Sequence, residues 1–137
     1  MIQTATTPEQ SERLLQLGVP ASTADMEYCM GALRVKRPEG CADGDSVKTP
    51  AWSLSALLEL LPTRYERDDY IAEIVKVDKS LFLSNFMDGT NPLSPFEMLR
   101  QVATPEPIEG IVLIIEWLVT NGYPLNNSKY NQHTTTH

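Results

Sequence analysis

The body of this chain has no histidine: both copies, His133 and His137, stand within the last five of 137 residues. Serine–histidine and cysteine–histidine catalysis, and metal sites built on imidazole, need that side chain inside a positioned framework, so all are excluded from residues 1–132. The spacing of His133 and His137 suits one helical face, but Thr134-Thr135-Thr136 between them forms helix poorly and no metal site is expected there. Cysteine is almost as scarce. Cys29 and Cys41 are the two present, no CxxC pair exists, and no disulfide framework can be read from two. Residues 1–7 lack the basic start and apolar run of a secretory leader, and no stretch reaches the length of a membrane span. A cytoplasmic protein with reduced thiols is the expectation.

Positive charge is also short. Eleven basic residues against 18 acidic ones give a net charge of −7, which disfavours attraction to a phosphate backbone or an anionic membrane. Arg34, Lys36 and Arg37 form the one basic cluster, and aromatic residues are not interleaved with it. Neither a glycine-rich phosphate loop nor HExxH is present. Asp43 and Asp45 lack the further ligands and distal glutamate of a calcium loop, so Asp43-Gly44 reads as turn chemistry. The carboxylate pairs Glu66 with Asp69 and Glu106 with Glu109 sit in charged or helix-start segments, where solvation or the helix dipole explains them. No cofactor, nucleic acid or membrane is expected as a partner, and an enzyme is not expected.

What the chain does have is core. Hydrophobic residues make up 42% and charged residues 21%, as in a soluble single domain, here residues 1–125 followed by a polar tail over 126–137. Residues 50–62 are the best-specified stretch: Ser53 caps a helix, Trp52 stands ready to staple onto Leu57, and Pro62 stops the run. Leu54, Leu57, Leu58 and Leu61 fall at i, i+3, i+4 and i+7, one apolar stripe expected to lie hidden beneath a covering sheet. An earlier helix starts at Thr7-Pro8-Glu9-Gln10, with Thr7 and Gln10 spaced for a capping box, and ends at Gly18. The last helix, over 108–121, carries Ile108, Ile111, Val112, Ile115, Leu118 and Val119 as its stripe, with Leu113, Ile114 and Trp117 off it. A helix so apolar all round is buried on more than one side.

Strands are read from alternation. Met26, Tyr28 and Met30 alternate with Glu27 and Cys29, and Gly31-Ala32 marks a bulge or tight turn before Leu33 and Val35. Residues 34–48 read as loop and 63–69 as a charged connector. Residues 70–77 and 81–87, joined by Asp78-Lys79-Ser80, form the expected antiparallel hairpin. Apolarity on both sides of 81–87 fits a central strand. Ser94 and Glu97 repeat a helix-start signature, so Phe96, Leu99 and Val102 are expected on one face of a short helix. The predicted fold is α+β, two-layered, with three or four helices packed on one face of a small, mainly antiparallel sheet.

Three stretches, Thr7-Pro8-Glu9-Gln10-Ser11 through Leu17-Gly18, Pro50-Ala51-Trp52-Ser53-Leu54-Ser55-Ala56-Leu57-Leu58 through Pro62, and Glu116-Trp117-Leu118 through Asn121-Gly122, together resemble a group of short proteins of gut anaerobes, often encoded in prophages or mobile elements. The segment over 88–103 is longer than that resemblance implies. The matching residues are caps and core, and the group has no assigned activity, so no residue roles follow from it. The functional expectation is a small acidic accessory protein acting through contacts with another protein, or as a homodimer. Its expected surface is Leu113 and Trp117 on the last helix together with the acidic residues Glu66, Asp68 and Asp69. The alternatives are a carboxylate-based enzyme or small-ligand protein using residues 65–73, and an inhibitor whose acidic surface mimics nucleic acid.

Overall fold

Thr7 starts the first helix as its side chain requires: Oγ1 accepts from the Gln10 amide at 3.1 Å while Gln10 Oε1 accepts from the Thr7 amide at 3.0 Å. A computed structural model gives the architecture around it, describing residues 3–37, 48–65, 68–89 and 97–126. Helix α1 (Pro8–Gln16) leads through a short 3-10 turn into strands β1 (Met26–Cys29), β2 (Ala32–Val35) and β3 (Lys48–Ala51). Helix α2 (Leu54–Leu60) follows, then β4 (Arg64–Tyr65), β5 (Asp68–Asp78), β6 (Leu81–Asp88), β7 (Glu97–Thr104) and α3 (Pro107–Thr120). The fold is α+β, but its strands form two antiparallel sheets rather than one, ordered β2-β1-β3 and β4-β5-β6-β7.

Several expectations change. Residues 97–104 are the strand β7, not a helix. The spacing of Leu99 and Val102 had a second solution: the register with β6 shifts at Phe86/Met87, making Leu99 an extra residue that turns inward with Val102. Ser94 and Phe96 lie outside the described residues. Strand β3 takes Lys48 from the end of the segment read as loop and Pro50-Ala51 from the stretch read as leading into the helix, β4 emerges from the segment read as connector, and Pro50 is tolerated because β3 is an edge strand. In β1 the parity inverts: Glu27 and Cys29 are buried, while Met30 is exposed in a two-residue turn with Gly31, both at positive φ. Cys29 is disulfide-bonded, contrary to the reduced-thiol expectation; Cys41 lies outside the described residues, as do Asp43, Asp45, His133 and His137.

The main core gathers Trp52, Leu57, Leu60, Leu61 and Phe86 with the buried side of α3. Helix α3 lies across β6 and β7 and beside α2. At the crossing, Gly110 has no Cβ because Ser84 Oγ occupies that space and Thr104 Oγ1 stands 3.0 Å from where the Cβ would be. Helix α2 buries Ala56, Leu57, Leu60 and Leu61, leaving Leu58 36% exposed. Its stripe is therefore turned away from Leu58, while Leu54 is half-buried against the core. Its main helical partner is α3 rather than a covering sheet. Trp52 is fully buried, its indole N–H donating to Thr23 Oγ1 at 2.9 Å and its backbone N–H to Thr6 Oγ1 at 3.0 Å. No described helix is long and apolar enough to cross a membrane.

Candidate functional site

The sheet β4-β5-β6-β7 has two faces of different fate. Side chains of Ser84, Phe86, Leu99 and Val102 turn toward α3 and the core. The pairing register sets the opposite face out as three rows of three, taken from β5, β6 and β7 in turn: Ile71–Met87–Met98, Glu73–Asn85–Gln101 and Val75–Leu83–Ala103. The bulge at Leu99 is what keeps Met98 opposite Met87. Without it the β7 column would slip by one residue and present its other side.

Two of these rows are apolar and the middle one is polar. Gln101 Nε2 donates to Asn85 Oδ1 at 2.7 Å, and Asn85 Nδ2 donates to Glu73 Oε1 at 2.9 Å. Asn85 is 4% exposed, so this ladder satisfies an amide that burial would otherwise penalise. The apolar rows are exposed at their flanks and closed at the centre: Ile71, Val75 and Met98 are 37%, 40% and 45% exposed and Val77 near the hairpin end 52%, whereas Met87, between Ile71 and Met98, is buried. Isolated exposed apolar residues are ordinary; a contiguous set on one sheet face is a surface that gains by being covered.

The surface expected from the sequence is placed differently. Trp117 is half-buried, stacked on Tyr123 with ring centroids 5.4 Å apart, and it packs against the core. Leu113 is half-buried as well. The surplus of α3 is thus largely used inside the fold. Asp69 is exposed and pairs across the β4–β5 ladder with Arg64. Asp68 opens β5, and neither its side chain nor Glu66 is among the described groups. The structure brings Leu113 and Trp117 together on one helix and does not join them to the acidic residues as one described surface.

The remaining charges hold the fold together. Arg13 on α1 reaches Glu116 at 2.8 Å and Glu109 at 3.1 Å on α3, and Gln10 Nε2 adds a bond to Glu109 at 2.6 Å. The hydrogen bonds that Arg13 donates to Glu116, joined by those to Glu109, hold the guanidinium still more firmly protonated than usual. Glu109 is committed to this clamp rather than paired with Glu106. On β1, burial opposes ionisation of Glu27, but Arg34 at 2.7 Å and Lys48 at 3.6 Å outweigh it and hold the carboxyl below its ordinary value.

A cavity of about 270 Å³ lies where the ends of α1, α2 and α3 meet, lined by Leu17, Leu60, Val119, Tyr123 and Leu125 among others. Its walls are mainly apolar and take nothing from residues 65–73. Among the described residues no three histidine, cysteine, aspartate or glutamate side chains come together as metal ligands would.

Sequence reading missed the open face because β7 was assigned to helix, which deletes one of its three columns. The usable signal was Ile71, Val75 and Val77 at odd positions, with Leu81 and Leu83 across the hairpin. Compared with known proteins, the chain finds no matching family model, curated sequence or solved structure.

Proposed function

We propose that this chain is a protein-binding module that works through the open face of its four-stranded sheet. The observation that carries the reading is the pair of apolar rows around a satisfied polar ladder, with Ile71, Val75 and Met98 each more than a third exposed. Such a face supplies apolar area for affinity, while the ladder offers polar atoms that fix register in the contact. A role in phage or mobile-element biology rests on the sequence resemblance alone.

The compartment belongs to the same proposal. The disulfide at Cys29 favours an oxidising environment over the cytoplasm. Titrating free thiols in chain isolated from its host under alkylating conditions tests this: a reduced Cys29 returns the proposal to the cytoplasm.

A photo-reactive side chain at position 75, with position 58 on α2 as the exposed apolar comparison, tests the binding face in the host. Crosslinks to protein at 75 and few at 58 support the reading. Equal yields at both positions, or none at 75, remove it. The apolar cavity supports a second reading, a small apolar ligand held between the helix ends. A thermal-shift series of short alkanols and fatty acids tests that one, with a Leu60→Trp variant expected to abolish any shift.

A further inference from the structure

Resting on the second reading, we infer that the cavity between the helix ends binds an organic cation, a primary alkylammonium whose short apolar body packs on the walls while its head group sits at the helix termini. Each of the three described α-helices brings its C-terminal end to this space. Leu17 and Gly18 close α1, Leu60 is the last residue of α2, and Val119, Gly122 and Tyr123 finish α3; all six line the cavity. A helix C-terminus carries partial negative charge, because its last carbonyl dipoles are aligned and point outward along the axis. Three such ends meeting at one place reinforce one another.

Among the described residues, no free cation offsets them. The last turns of α2 and α3 hold no basic residue, and Arg13 in the last turn of α1 is committed to Glu116 and Glu109. The bonds that cap these ends come from neutral backbone amides. Val19 N–H donates to the Leu14 carbonyl at 3.1 Å, Tyr123 N–H to that of Leu118 at 2.9 Å and Asn126 N–H to that of Leu60 at 2.7 Å. None of the described residues lining the cavity has a charged side chain.

Ligand classes separate on this charge. A neutral ligand gains from the walls alone, and a carboxylate meets like charge at the helix ends on a chain that already carries −7. An ammonium gains where the carboxylate loses. Tyr123, its ring held by stacking on Trp117 with centroids 5.4 Å apart, adds a π system that attracts the same charge. The cavity is partly open to solvent, so the head group keeps part of its hydration. Volume sets the body: at about 30 Å³ per water in the liquid, about 270 Å³ has room for about nine non-hydrogen atoms, which suits hexylammonium.

The test is a two-dimensional amide NMR titration of the full oxidised chain with hexylammonium, hexanol and hexanoate, read at Gly18 and Gly122. Hexylammonium is expected to shift both amides and to saturate at a concentration about fivefold or more below that of hexanol, with hexanoate the weakest. Val119→Met, uncharged and similar in length to lysine, is expected to keep the preference for hexylammonium over hexanol. Val119→Lys supplies the missing cation from within the chain and is expected to abolish it. Hexanol or hexanoate binding as tightly as hexylammonium, or a preference that survives Val119→Lys, overturns the cation and leaves an apolar-ligand cavity standing. Hexylammonium shifts that spare Gly18 and Gly122 place the ligand on the acidic surface and overturn the site. Amides unmoved by all three ligands remove both the cation and the cavity reading.

Discussion

At the residue scale, single atoms decide how closely layers approach. Ser84 Oγ is buried without a hydrogen-bond partner, in the space that a Cβ at residue 110 would fill. Gly110→Ala is therefore expected to lower stability by about 1–3 kcal/mol in urea denaturation, through overpacking. Ser84→Ala should cost little, because it deletes an unsatisfied hydroxyl, and in the double variant it should recover much of the loss. Glu27 gives a pH signature. Its folded-state value is depressed, so its stabilisation is present above the ordinary carboxyl value near 4.5 and lost as pH falls through the folded value. The stability gap between wild type and Glu27→Gln should accordingly be widest at neutral pH and close as pH falls below the ordinary carboxyl range. A gap independent of pH would assign Glu27 a packing role only. The residue sequence alone mispredicts is this one: alternation placed a glutamate outward, and only Arg34 and Lys48 on neighbouring strands make its burial tolerable.

At the scale of elements, local chemistry was legible wherever a few adjacent residues decide the outcome. The capping box of α1 and the cap of Ser53 on the Ala56 amide at 3.2 Å follow from side chains within one helical turn. So does the β5–β6 hairpin, whose Asp78 Oδ1 accepts from the Ser80 amide at 2.8 Å. The β1–β2 turn is less favourable: Met30 holds φ at 54° without being glycine or asparagine, and its side chain is 59% exposed. Met30→Asn is expected to raise stability by about 0.5–1 kcal/mol in thermal or urea unfolding. No gain would mean that the turn already relaxes elsewhere. Helix α2 and strand β7 were harder to read for one shared reason. Leu54, Leu57, Leu58, Leu60 and Leu61 support two overlapping stripes, and Leu99 with Val102 supports a helix or a bulged strand. Propensity cannot choose between packings that bury equal leucine.

At the scale of the whole molecule, α1 is tied to α3 by Arg13, across 96 and 103 residues of sequence. The three groups of this clamp are each about one third exposed. Arg13→Ala is expected to cost no more than about 1 kcal/mol, falling further in 0.5 M salt. A loss that ignores salt would point to the aliphatic stem rather than the charge. The sequence by itself determined the α+β class, the caps, the central hairpin and an α3 buried over most of its surface. Those features arise from bonds and sterics inside short windows. Only the tertiary structure decided that the strands divide into two sheets, that residues 97–104 pair with β6, and that one face of that pairing stays open. Each of these depends on which surfaces far apart in the chain come to cover one another, and the covering of apolar surface is indifferent to the order of residues that supplies it.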